Sequence, residues 1–493
     1  MKIAKTWTPE LAAEWIDEKL EREKKQYNQT NRVQLVSFRE WCEEWDWARR
    51  SDVYTHLIHS YPAKLLAYVP ITFLTSSLAS PRDIVMDCFA GTGTVLLECL
   101  VHKFNPRNCY GVEVNPLARL IAKVKTTPLQ GDRLEFLAKK FHQSLATLRK
   151  VPIPEFKGRD FWFRKAAQKD LARIRYCIDT LDASSDERDF FRTCFSATIR
   201  GMSRADPDIA PPVLLKPEKF PKKRQAEIYR LLRQKQRANA LALFGAKLSA
   251  NLKRMKDFSE KVGKVPRANS QIIWDDAREI KVGKYIEAGK IDKTNAQLLR
   301  NAIDMVITSP PYMAAQKYIR TTKLELLWLG LVSEDEVQEL NHSIIGAERV
   351  TYEERRELIP VGNPTADSLL KRVYRFNPER AAIASRYFRN MRQSLMSIHR
   401  ALKPNGVCIL VIGNNTLGGY IVPNHKLLSE IAAENNMFTI DVILRDPIRS
   451  RGLITKRHDT AGVIDDEYVI VLRKQNHPEC NDKIKRGRIH VSC

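Results

Sequence analysis

The stretch from Ile84 to Asn115 constrains the fold of this chain more than any other. Ile84-Val85-Met86-Asp87 is an apolar run ending in an acid, and Cys88-Phe89-Ala90-Gly91-Thr92-Gly93 is a glycine-bearing loop. An apolar helix is expected from Thr94. A second run, Cys109-Tyr110-Gly111-Val112, ends in Glu113, and a helix over Leu117 to Lys125 comes next. Strand, glycine loop, helix, strand and acid open a doubly wound α/β sheet, because parallel neighbours need a crossover between them. Gly91 and Gly93 let the backbone approach a ligand where a Cβ would clash. The third small residue of a dinucleotide loop is missing, since Leu96 occupies its position. Glu113 falls about 20 residues past the loop, where an acid can accept from ribose hydroxyls. No basic side chain accompanies the glycines, so a nucleoside without a pyrophosphate is expected. S-adenosylmethionine fits that description better than NAD.

A second stretch points to the other half of a reaction. Met305-Val306-Ile307, preceded by Asp304, reads as a short buried strand that stops at Thr308-Ser309-Pro310-Pro311-Tyr312. Pro311 cannot donate to a ladder, and Pro310 is restricted by the proline after it. The Ser309 hydroxyl, the Pro310 carbonyl and the Tyr312 ring are therefore expected in a rigid loop. Two oxygens can accept from an NH₂ group while the aromatic face stacks on a flat ring. A Pro-Pro turn that merely ends a core strand is the plain alternative.

Lys and Arg number 82 against 58 Asp and Glu, a formal excess of 24 that draws polyanions, nucleic acid first among them. No apolar run approaches the ~20 residues of a membrane span, and Met1 to Trp7 lack the apolar core of a signal peptide. The nine cysteines show no C-x-x-C pair, and Cys480, His490 and Cys493 are too irregular for a zinc site. A cytoplasmic, reduced, metal-free protein is expected.

Residues 1–50 read as an N-terminal helical segment through Leu11, Ile16 and Leu20, with Trp41, Trp45 and Trp47 as packing residues. Residues 51–127 carry the cofactor-type motifs. The pattern then breaks over 128–268, a basic helical insert. Its helices are expected over Phe161 to Leu181, Phe190 to Met202 and Lys223 to about Val262. Arg230, Arg233 and Arg237 lie in a run where Glu227 is the one acid, and the insert is expected to grip DNA. The sheet resumes over 269–475, at Gln271-Ile272-Ile273, at the Pro-Pro strand, at Val407 to Gly413, and at a closing pair, Ile440 to Arg445 and Glu467 to Arg473. Arg449 and Arg451, in the basic loop joining that pair with Lys456, Arg457 and His458, are expected on phosphate. Residues 476–493 form a basic tail.

Asp87-Cys88-Phe89-Ala90-Gly91-Thr92-Gly93-Thr94 resembles the D-P-F-x-G-S-G-T cofactor motif of the amino-group DNA methyltransferases, with Cys88 in place of proline. Thr308-Ser309-Pro310-Pro311-Tyr312 resembles their catalytic S/D/N-P-P-Y motif. His59-Ser60-Tyr61-Pro62-Ala63-Lys64 resembles a segment that closes over the methionine end of the cofactor. Asp276-Ala277-Arg278 resembles the segment whose acid meets the adenine, and Tyr318 to Trp328 resembles the segment after the catalytic motif in serine-type members. The likeness covers about 51–127 and 268–475.

The resemblance implies a Rossmann-like methyltransferase sheet and S-adenosylmethionine as cofactor. It assigns cofactor binding to Lys64, Asp87, Phe89, Gly91, Gly93, Thr94, Glu113 and Asp276, and catalysis to Ser309, Pro310, Pro311 and Tyr312. The implied substrate is double-stranded DNA, recognised by sequence, with the target base flipped out to stack on Tyr312. An exocyclic amine is a poor nucleophile because its lone pair is delocalised into the ring. Acceptors at Ser309 and Pro310 would aim that lone pair at the sulfonium methyl. No Pro-Cys dipeptide occurs, so a covalent cysteine route to ring-carbon methylation has no evident nucleophile. Serine at 309 resembles the enzymes that methylate cytosine N4. Adenine N6, an RNA amine, and a non-catalytic DNA-binding subunit are the alternatives. A restriction endonuclease or defence-system partner and the oligomeric state are left open.

Overall fold

Strands in the structure, a computed structural model, form around the apolar runs of the sequence. Residues 7–43, 53–61, 64–207, 211–264, 268–313, 317–417, 419–447 and 466–475 are described. Trp45, Trp47, Arg449, Arg451, Lys456, Arg457, His458 and the 476–493 tail lie outside them. The strands are β1 (Gln34–Leu35), β2 (Val85–Asp87), β3 (Cys109–Val112), β4 (Ser270–Trp274), β5 (Lys281–Tyr285) and β6 (Ile291–Leu298). They continue as β7 (Ile303–Thr308), β8 (Leu402–Gly413), β9 (Asn415–Leu417), β10 (Tyr420–Val422), β11 (Phe438–Pro447) and β12 (Asp466–Lys474).

Eight of these form one sheet in the order β1-β11-β12-β8-β7-β2-β3-β4. The pairs from β8 through β7, β2 and β3 to β4 are parallel, whereas β12 runs antiparallel between β8 and β11. This is an α/β fold with a large, mostly parallel central sheet, consistent with the Rossmann-like methyltransferase architecture.

The sheet is buried on both faces, which explains why its strands read as continuous apolar runs. Met305 and Ile307 of β7 join Val85, Ile409 and Val411 on one face, under Ile16, Phe38 and Phe73 of three N-terminal helices. Trp41 is in the same cluster, its ring 5.3 Å from Phe38, so it packs as expected. Val306 joins Met86, Cys408 and Leu410 on the other face, under the helices Pro378–Ala401 and Asn424–Ala433.

The helices of 128–268 share a third core with the crossover helices that follow β2 and β3. Phe141, Phe191, Phe244 and Phe258 pack into one cluster with Leu97, Leu117, Leu120 and Ile121. Each such buried phenylalanine contributes about 1.5–3 kcal/mol. The insert is thus anchored on the helices that follow β2 and β3.

Two expected helices are interrupted. The long one is a pair, Lys222–Arg237 and Ala240–Val262, because Asn239 leaves the helical path and accepts from the amides of Leu241 and Ala242. Phe161 to Leu181 is likewise split into Arg159–Trp162 and Lys165–Asp179. The sequence reading did not include the β5–β6 and β9–β10 hairpins. Ile291–Leu298 is mostly polar and half exposed, so it carries no strong apolar alternation.

Candidate active site

After β4 the chain crosses back to the opposite side of β2, where β7 inserts, and the order of strands reverses between β2 and β7. The carboxyl ends of two such strands diverge into a crevice, where ligands of doubly wound sheets bind. The glycine loop leaves β2 here and the Pro-Pro loop leaves β7.

A small network joins the two exits. The Thr308 hydroxyl donates to Asp87 Oδ1 at 2.6 Å, and the Phe89 amide lies 3.1 Å from that oxygen and 3.0 Å from Thr308 Oγ1. Burial pushes the Asp87 carboxyl up to about 7. Asp87 therefore shapes the loop and does not reach into the crevice.

Gly91 and Gly93 take φ of +51° and +76°, a region that side chains with a Cβ enter only at a cost. A Cβ on Gly91 would meet open space, whereas one on Gly93 would lie 3.1 Å from the Ala122 Cβ. The first glycine bares its backbone to the crevice and the second lets two helices approach. Glu113, at the end of β3, accepts from the Gly91 amide on Oε2 and from the Asn115 amide on Oε1, both at 2.8 Å. Burial raises its pKa above the usual carboxylate range.

One cleft gathers Phe89, Gly91, Glu113, Asp276, Ser309 and Pro311 on its wall, enclosing about 770 Å³ with its open mouth. Acids at Glu113 and Asp276 offer acceptors, and Val112, Ile344 and Ile345 supply apolar walls. Arg278 also lines it, but its guanidinium is 2.8 Å from Asp276 Oδ2. A nucleoside without phosphates fits such a lining, and S-adenosylmethionine meets that description.

Other expected residues stand beside the cleft. Lys64 donates to the carbonyls of His56 and His59 at 3.1 and 2.7 Å, bracing the segment that carries Tyr61. Thr94 is buried at the start of the helix that follows Gly93. The Tyr312 hydroxyl donates to Glu467 Oε1 at 2.9 Å. Arg230, Arg233 and Arg237 are exposed on Lys222–Arg237, a helix on which only Ile228 is buried. Arg449 and Arg451 fall outside the described residues.

Sequence reasoning did not select Tyr61, Asn115, Tyr318 or Glu467. Tyr61 and Tyr318 line the cleft, and Asn115 donates to the Tyr61 hydroxyl at 3.0 Å. Tyr61 and Tyr318 lie inside segments already picked out, and Asn115 is two residues past Glu113, so a signal existed for all three. Glu467 had none, because only strand pairing brings it to the Pro-Pro loop.

No protein-family model matches the chain. Over 402 residues it is 24% identical to the Type II methyltransferase M.MvaI of Kocuria varians, a match that takes in 78% of this chain and 82% of that protein. Spread over most of both lengths, and joined to a sheet and cleft of this design, the similarity supports a DNA methyltransferase family for this chain.

Proposed function

We propose that the protein transfers a methyl group from S-adenosylmethionine to an exocyclic amine of a base turned out of double-stranded DNA, with cytosine N4 as the acceptor. The observation that carries this reading is the shared cleft. Glu113 and Asp276, suited to a nucleoside, and Ser309, whose hydroxyl oxygen can accept from an amine, line one cavity at the switch point, with Pro311 of the same loop on its wall. Similarity to a protein named as a Type II methyltransferase supports the same class.

In this reading the bound cofactor supplies an activated methyl group on a sulfonium. Glu113 accepts from the ribose hydroxyls with lone pairs its two backbone donors leave free. Asp276 faces the adenine amine. Ser309 and the Pro310 carbonyl accept from the target NH₂ and turn its lone pair toward the methyl group, while Tyr312 stacks on the base. Exposed Arg230, Arg233 and Arg237 contact phosphate, with Arg449 and Arg451 as a second contact. The Ser309 hydroxyl in the loop favours cytosine N4 over adenine N6, following the family tendency.

Nucleoside mass spectrometry tests this directly. DNA and RNA from a methylation-free host expressing the protein are compared with Ser309→Ala and Tyr312→Ala controls. N4-methylcytosine in DNA, absent from the controls, is expected. N6-methyladenine would keep the mechanism and change the base, and modified RNA alone would move the substrate. The phosphate reading has its own test: reversing charge at Arg230, Arg233 and Arg237 is expected to flatten the salt dependence of DNA binding by about 0.9 in log–log slope per lost contact. An unchanged slope removes the helix from the DNA surface.

A further inference from the structure

The two most exposed large apolar side chains among the described residues are joined through one tyrosine. Phe376, at the end of the helix Pro364–Phe376, is 73% exposed, and Ile421 of β10 is 71% exposed. Tyr420 links them, its ring 6.1 Å from that of Phe376 with 29° between the planes. The β9–β10 hairpin has an inside and an outside. Leu417 and Val422 share a core with Leu369 and Leu370 of that helix, so Ile421 and its cross-strand partner Thr416 are turned out. Single apolar residues on a surface need no cause, but a joined pair this bare does.

The hairpin also stands in a telling place. β8 is the parallel neighbour of β7, with Leu410 opposite Thr308, and it runs on to Gly413 before the hairpin begins at Asn415. Neighbouring strands lie about 4.8 Å apart, so the hairpin leaves the sheet beside the Ser309-Pro310-Pro311-Tyr312 loop. Its root is pinned. Asn424 donates to the Gly413 carbonyl at 2.8 Å and to Asn415 Oδ1 at 2.6 Å, and His425 stacks on Tyr468 with ring centres 3.9 Å apart.

The charges around the pair select its partner. Lys371, Arg372 and Arg375 are exposed on the same helix as Phe376. Asp367, the one acid of that helix, accepts from the amides of Val361 and Gly362 at 2.7 and 3.1 Å. On a chain with 24 excess positive charges, a second copy is repelled and a polyanion attracted. Phosphate answers the basic side chains, and base edges, thymine methyl groups among them, answer the apolar pair. We propose that Ile421 and Phe376 pack against base pairs flanking the target base, with Lys371, Arg372 and Arg375 on the adjoining phosphates. Duplex DNA is then held from the β8 side of the cleft as well as from the insert. The proposal rests on the DNA methyltransferase reading and adds a second surface to it.

Sheared DNA from a methylation-free host is the probe. In Ile421→Ser the initial methylation rate, at DNA far below saturation, should fall about tenfold. Its cofactor affinity should stay within about twofold of wild type, and the salt slope of its DNA binding should not change. Ile421→Leu keeps an apolar contact and should stay within about threefold of the wild-type rate. Arg372→Glu combined with Arg375→Glu should instead flatten the slope of log affinity against log salt by about 0.9 per lost contact. These side chains are exposed, so melting midpoints should match wild type. An Ile421→Ser rate equal to that of an active wild type, or a slope that the arginine variant leaves unchanged, overturns the proposal. So does sedimentation that finds a wild-type dimer split by Ile421→Ser, since the occupant is then a second copy. A wild type inert on DNA sinks the methyltransferase reading and this one with it. An active wild type matched by every variant sinks this one alone.

Discussion

The glycine loop after β2 and the Ser309-Pro310-Pro311-Tyr312 loop after β7 leave adjacent parallel strands, yet one is held through its backbone and the other through its side chains. Gly91 bends to φ +51° and hands its amide to Glu113, so the wall it offers is bare main chain. In the second loop two prolines remove donors and freedom together, and the free end is tied down by the Tyr312 hydroxyl on Glu467. In the proposed reading, a cofactor common to every turnover suits a wall of main chain. A base that must be told from other bases, as the same reading requires at the second loop, needs side-chain groups of defined polarity. The two designs meet at Asp87 and Thr308, where a single hydroxyl serves both loops.

The sharpest way to break this comparison is Tyr312→Ala. Loss of stacking should slow methyl transfer by about 100-fold, and cofactor affinity should change by less than about threefold because the main-chain wall is intact. Equal loss of both, measured by single-turnover rates and calorimetry, would mean that the loops are not separate devices.

The joint has a pH signature. Asp87 is held near 7 by burial when folded and titrates near 4 when unfolded. Between those values the folded state keeps a proton the unfolded state has lost, so this group's contribution falls as pH rises, by up to about 1.4 kcal/mol per unit, and is lost above about 7. The buried imidazoles of His59 and His102, held down to about 3, tilt stability the other way. Denaturant melts of wild type and Asp87→Asn isolate the Asp87 contribution. Their difference should decline from pH 4 to 7 and then level off, and a flat difference would refute the assignment.

Thr308→Val removes the hydroxyl that donates to Asp87 and accepts from Phe89. A loss of about 1–3 kcal/mol in stability is expected, with both cofactor affinity and transfer rate reduced. Damage confined to one of the two functions would show that the joint is not shared.

The smallest effect separates the two glycines. Gly93→Ala combines a left-handed backbone with a Cβ 3.1 Å from Ala122 and should cost about 2 kcal/mol. Gly91→Ala meets open space and should cost about 1 kcal/mol, from backbone strain alone. Unfolding midpoints in the reverse order would mean that the packing role belongs to the other residue.

Much of this was legible along the chain. Runs such as Val85–Asp87 and Ile303–Thr308 advertise themselves because strands buried on both faces must be apolar throughout. Glu113 and Ser309 were readable because each stands at the end of such a strand, where a doubly wound sheet puts its ligand. The half-exposed hairpin at Ile291–Leu298 was not, because few of its side chains pack inward. Neither was the break at Asn239, where a side-chain cap outweighs a good helical pattern.

The sequence by itself determined the α/β class, the position of both loops and the residue types they present, because these follow from local apolar patterning, glycine freedom and proline restriction. Only the tertiary structure decided which residues share the cleft, that the insert is packed onto the helices after β2 and β3, and that Glu467 meets Tyr312 from 155 residues away. Those contacts are set by strand order, register and helix packing between segments far apart in the chain, and no local segment encodes them by itself.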